Sequence, residues 1–155
     1  MRRLPAICSA LCSLALVAAG TGCGEGGAAG GAKVSVYVAA PLCGEAAGAL
    51  QREGGKAGDL EVQTICLPRV ERKHRADLAT AGGNARRATE DSSAVAYLEA
   101  PGAAAKFSRP IVESAQIAWV ETSSGAKAMQ QVLASLDQRG SSSPRSAVRE
   151  SIGSD

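Results

Sequence analysis

The chain reads as a small α/β protein: a three-layer α/β/α sandwich on a four-stranded parallel sheet of strand order 2-1-3-4. Three observations predict this. Short β-branched apolar runs alternate with longer helical patterns along residues 33–137. The segments between them are short, which for successive parallel strands calls for right-handed helical crossovers. Aromatic residues make up only 3% of the chain, so the core must come from Val, Ile, Leu and close-packed Ala. Such a core is shallow, and its stability modest.

The elements follow in order. Val34 to Val38 is a compact apolar strand, broken by Pro41-Leu42-Cys43-Gly44. Glu45 to Glu53 then reads as a helix that Gly54-Gly55 ends. Leu60 to Leu67 is the second strand, stopped by Pro68, and Arg69 to Arg75 is a basic cluster that reads as a solvated loop, with a phosphate or lipid-headgroup contact as the alternative. Ala76 to Glu90 is helical, with Leu78, Ala81, Ala85 and Ala88 on its inner face; Gly82 and Gly83 each cost it ~1 kcal/mol relative to Ala. Ala94 to Leu98 is the third strand. The helix from Ala103 to Ser114 holds Pro110, which removes a backbone bond and predicts a kink. Ile117 to Val120, with the only tryptophan, Trp119, is the fourth strand. Gly125 to Asp137 is the best amphipathic helix, with Met129, Val132, Leu133 and Leu136 on one face. Residues 138–155 form a Ser-rich tail in which Ser143-Pro144 looks like the cap and first position of a short helix, 144–152.

The first 22 residues have the layout of a secretory signal: Arg2 and Arg3, an apolar stretch from Leu4 to Ala19, then small residues before Cys23. The apolar stretch falls short of the ~20 residues needed to span a bilayer. A cysteine in that place resembles the lipobox of bacterial lipoproteins, with Gly20 where Leu or Val is usual; the resemblance implies lipidation of Cys23, and residues 23–32 read as a Gly/Ala-rich linker. An ordinary signal peptide cleaved near Cys23 is the other reading. The pattern Gly22-x-Gly24-x-x-Gly27 precedes the first strand instead of following one, so it is no dinucleotide fingerprint. Losing the signal takes Arg2 and Arg3 with it. The formal charge of +2 leaves too, and a near-neutral chain is no nucleic-acid binder.

Of five cysteines, Cys8 and Cys12 depart with the signal and Cys23 takes the lipid. Cys43 and Cys66 remain as an even pair in an oxidising compartment, which predicts a disulfide. Strand order 2-1-3-4 places them near neighbouring strand ends. A catalytic thiol is the alternative, and it needs a base that only His74 offers. One histidine cannot build a Cys/His zinc site. No P-loop, nucleophile elbow or Ser/His/Asp set exists. The chain therefore reads as no enzyme, with no catalytic residues, no metal and no cofactor.

In an open α/β sheet, ligands sit where strands end and helices begin. Here that junction is "LEAPGAAA", residues 98–105. The stretch "NARRATEDSSAVAYLEAPGAAAKFSRPIVESAQIAWV", residues 84–120, resembles the first lobe of type I periplasmic substrate-binding proteins, the leucine/isoleucine/valine-binding kind that serve ABC transporters. "VYVAAPLCG" at 36–44 is similar to that family's first strand and turn. "AKAMQQVLASLDQRGSSSPRSAVRESI" resembles its late helix and closing segment, while the second lobe is missing between about Glu121 and Gly125. The resemblance implies a ligand held by its carboxylate after the third strand and by its amino group after the fourth. On this sequence those places are Gly102 and Ala103, and Thr122 and Ser123. Pro101 stands where the family's serine would be.

Two functional readings follow. One is a lipid-anchored, extracytoplasmic solute-binding lipoprotein of one lobe, held on the cell membrane. Its partners would be a weakly held amino acid or carboxylate and an ABC permease. The other is an interaction or structural module that kept the scaffold and lost the ligand.

Overall fold

The structure is a computed structural model, and it describes residues 31–72 and 75–152, with the side chains of residues 71, 72, 75 and 76 left aside. The signal, Cys23, most of the linker and His74 lie outside the described residues. Within them, β1 (Lys33–Val38) leads to α1 (Ala40–Arg52), then β2 (Lys56–Ala57) and β3 (Leu60–Cys66). Two short strands, β4 (Glu71–Arg72) and β5 (Arg75–Ala76), precede α2 (Leu78–Thr89). The rest alternates: β6 (Ala94–Glu99), α3 (Ala103–Ser114), β7 (Ala118–Glu121), α4 (Gly125–Asp137) and α5 (Pro144–Ile152).

The main sheet has order β2-β3-β1-β6-β7. Its four principal strands are parallel, in the order the sequence predicts. The sheet is nonetheless five-stranded and mixed, because β2 adds antiparallel to β3. Two residues between Gly54-Gly55 and Gly58 carry no periodicity, so nothing in the sequence marks this strand. Helices α1, α4 and α5 cover one face and α2 and α3 the other, the three-layer arrangement.

Several boundaries move for local reasons. Pro41 does not break the chain: it sits in the first turn of α1, where its missing N–H would have had no helical partner anyway. Leu42, Cys43 and Gly44 are therefore helical. Helix α2 begins at Leu78 because the Asp77 carboxylate accepts from the Thr80 amide at 3.0 Å. Leu78, predicted to face inward, is 43% exposed; of the predicted inner face Ala81 is buried, and Ala85 and Ala88 pack in one cluster with Tyr37 and Tyr97 of the sheet. The basic segment is a small antiparallel hairpin of β4 and β5 instead of a plain loop. Helix α3 runs unbroken through Pro110, on an exposed stretch where water can take the freed Lys106 carbonyl.

The core alternates with the strands. Val34, Val36 and Val38 meet Leu42, Ala46, Met129, Val132 and Leu136 on one face; Tyr37, Tyr97 and Ile117 meet Ala85, Ala88 and Val112 on the other. Each fully buried large aliphatic side chain contributes about 1.5–3 kcal/mol. A Cβ on Gly125 would collide with the Leu42 carbonyl, so the glycine lets α4 begin against α1. Helix α5 is tied down by Arg145. Its guanidinium donates to the carbonyls of Ala94 (2.9 Å), Ser92 (3.1 Å), Ala115 and Asp91 (both 3.3 Å).

Candidate functional site

From β1 the chain crosses to β3 on one side, and from β6 to β7 on the other, so the crossovers reverse between β1 and β6. Above that reversal the C-terminal strand ends part and leave a crevice, the usual ligand position in open α/β sheets. It holds a cavity of about 60 Å³, walled by Ala39 and Pro41 after β1, Arg69 and Val70 after β3, and the turn from Glu99 to Ala104 after β6.

Two helices begin at this crevice, and neither carries a side-chain cap: Ala39 precedes α1 and Gly102 precedes α3. The other helices are capped. Asp77 serves α2, Ser124 accepts from the Lys127 amide at 3.4 Å to start α4, and Ser143 accepts from the Ser146 amide at 3.2 Å to start α5. A helix start leaves amide hydrogens unpaired and a partial positive charge. At α3 those amides belong to Ala103, Ala104 and Ala105, since Pro101 has no N–H. Gly102 takes φ 157° and ψ −171°, a conformation almost confined to glycine. Space is not the reason, because a Cβ there would touch nothing within 4 Å.

The crevice floor is Glu99, only 2% exposed. The Ser108 hydroxyl lies 2.5 Å from its Oε2 and 2.9 Å from the Ala104 carbonyl. Burial pushes the Glu99 carboxyl above the ordinary glutamate range; the Ser108 hydrogen bond opposes this and Glu121 adds to it. Beneath Glu99, Tyr97 is fully buried and its hydroxyl has no hydrogen-bond partner. Burial, with the Glu99 carboxyl nearby, raises its pKa as well, opposed by the neighbouring Ser108 hydroxyl, whose approach falls short of a well-formed hydrogen bond.

Gly102 and Ala103 thus line the crevice. Thr122 and Ser123 follow β7 and do not. The Thr122 hydroxyl accepts from the Ser124 amide at 3.0 Å and donates to the Ser124 carbonyl at 3.2 Å; its work is the turn into α4. Arg69 and Glu99 are the lining residues that sequence reasoning misses. The sequence marks Arg69 only as part of a basic loop. Glu99 has a signal, since it continues the third strand by one residue on the same face as Tyr97.

Cys43, in the first turn of α1, and Cys66, at the end of β3, form a disulfide with Cα atoms 5.6 Å apart. The pair ties the two segments that carry Pro41 and Arg69, and so holds one wall of the crevice. No group of three or more His, Cys, Asp or Glu among the described residues is placed to hold a metal. No described helix is long and apolar enough to cross a membrane. Compared with known protein families, with curated proteins and with solved structures, the chain matches none.

Proposed function

We propose that this chain is a lipid-anchored, extracytoplasmic binding lobe of the solute-binding kind, attached through Cys23, whose crevice takes a small carboxylate or comparable anion. One observation carries the reading: the two helices that start at the crevice are the two without side-chain caps. Helix starts are natural anion sites, and elsewhere in this fold Asp77, Ser124 and Ser143 already occupy that role. Arg69 adds a cation to the rim. Burial favours the neutral form of Glu99, which softens its conflict with an incoming anion.

Affinity is limited by enclosure. Good small-molecule sites enclose roughly 300–1,000 Å³ and bury about 70–90% of the ligand. A cavity of about 60 Å³ has room for a carboxylate group and leaves the rest in water. Binding should therefore be millimolar, about −4 kcal/mol. The cavity's size also favours the second reading, a scaffold that keeps the anion notch and meets another protein in place of the lost lobe.

Calorimetric titration with acetate, phosphate and leucine tests this. The expected result is weak saturable binding of the anions that Gly102→Ala and Arg69→Glu each reduce several-fold. No saturable binding of any anion removes the reading. Micromolar leucine binding replaces it with a complete amino-acid site.

A further inference from the structure

The two edges of the sheet are built differently. At one end β2 has two residues, one of them Lys56, both means by which proteins blunt an edge against pairing. At the other end β7, Ala-Trp-Val-Glu, has no Pro, Gly, Lys or bulge. It lies at the bottom of a slot of about 340 Å³ between α3, which supplies Arg109 and Glu113, and α5, which supplies Arg149 and Ile152. These helices cover the faces of the sheet, and among the described residues no strand pairs with the outer edge of β7.

The edge offers defined partners. Thr122 donates its amide to the Glu99 carbonyl at 2.9 Å. Backbone groups alternate in direction along a strand, so Val120 also turns toward β6, while Trp119 and Glu121 point their N–H and C=O outward. From this geometry we infer that β7 is the seat of a symmetric dimer: a second copy of this chain pairs its own β7 antiparallel to it, joining the two sheets into one.

Charge selects the second copy as occupant. Arg109 and Glu113 lie one turn apart on α3 and pair at 2.8 Å across largely exposed side chains. A two-fold axis between the strands sets α3 against its own copy in reverse. Arg109 then meets the partner's Glu113, and Glu113 meets the partner's Arg109, which is the self-complementarity an isologous interface needs. Pairing Trp119 with the partner's Glu121, and the reverse, uses every outward backbone group of both residues. Trp119 stacks on Tyr97 with ring centroids 5.4 Å apart and is half-buried, so pairing would cover what remains.

Trp119 is the only tryptophan, and its emission reports on this edge directly. Sedimentation of the full chain should give twice the chain mass, with Trp119 emission shifting to the red on dilution. Arg109→Glu should weaken the dimer at least about tenfold by placing like charges together, with the circular dichroism unchanged. The swap Arg109→Glu/Glu113→Arg should restore the dimer. A chain that stays monomeric across the titration overturns the proposal. So does a dimer indifferent to Arg109→Glu, or one whose dissociation leaves Trp119 emission unmoved.

Discussion

The two faces of the sheet are made of different materials. Toward α1 and α4 the strands present Val34, Val36, Val38, Ala96, Leu98 and Val120, and the helices answer with Leu42, Met129, Val132 and Leu136. Toward α2 and α3 they present Ser35, Tyr37, Tyr97, Glu99 and Trp119, answered by alanines, Val112 and Ser108. Of the three buried side-chain atoms without a partner among the described residues, two, the Tyr97 hydroxyl and Trp119 Nε1, lie on this second face; the third, Thr64 Oγ1, lies on the first. The aliphatic face supplies cohesion at the cost of one unpaired hydroxyl, that of Thr64. The mixed face carries Glu99, the floor of the crevice, and one wall of the slot beside β7, formed by Arg109 and Glu113. A single β-strand period therefore divides the molecule into a side that holds and a side that can respond.

The largest expected effect comes from damaging the holding side. Leu136 is fully buried against it, and Leu136→Ala removes packed methyl groups from a site framed by helix and sheet. The loss should be about 2–5 kcal/mol, read as a lower urea midpoint at unchanged slope. A loss well under that range would mean the aliphatic face is loosely packed, and the comparison between faces would weaken.

On the mixed face, subtraction should act the other way. The Tyr97 hydroxyl is dehydrated without a hydrogen bond in return, a cost of about 1–3 kcal/mol. Tyr97→Phe keeps the stacking on Trp119 and removes the unpaired group. Its stability should rise by up to about 1 kcal/mol. A clear loss would show that the hydroxyl has a partner, the Ser108 hydroxyl that also serves Glu99.

How much of this division is legible in the sequence varies with the signal each residue gives. The alternation at Val34, Val36 and Val38, and the stripe Met129, Val132, Leu133 and Leu136, show directly as periodicity, whereas the order of the principal strands is reached only through the connection rules for alternating strands and helices. Boundaries set by one capping bond do not: Asp77 moves the start of α2, and Pro41 enters a helix because a first turn tolerates it. Strand β2 is invisible because two residues have no period. In the crevice, Gly102 and Ala103 are legible as a strand-to-helix junction. Arg69 is not, since its place depends on the β3 exit folding back across β1. Thr122 draws attention for its hydroxyl, yet that hydroxyl is used within its own turn.

The smallest effect, and the sharpest test of the responsive side, is the pH dependence of Glu99→Gln. In the folded chain the Glu99 carboxyl keeps its proton above the ordinary value of 4.5, chiefly because burial disfavours the charge. Below that value the residue is protonated in both states and has no pH effect. As pH rises above it, the unfolded chain loses the proton first and gains relative to the folded one, so folding stability falls until the folded carboxyl ionises too. An amide in its place cannot titrate, and the variant lacks that decline. Asp91, whose carboxyl is held low by hydrogen bonds from Ser93 and Tyr37 against the larger opposing effect of burial, contributes stability that is lost as pH falls. It does so equally in both proteins and cancels from their difference. Urea midpoints measured from about pH 4 to about pH 8 should therefore show the variant gaining on the parent as pH rises above the ordinary carboxylate range and levelling off once the folded carboxyl ionises. Parallel curves would mean that Glu99 ionises in the fold as readily as in the open chain. The floor of the crevice would then be charged at neutral pH, and the anion would have to bind against it.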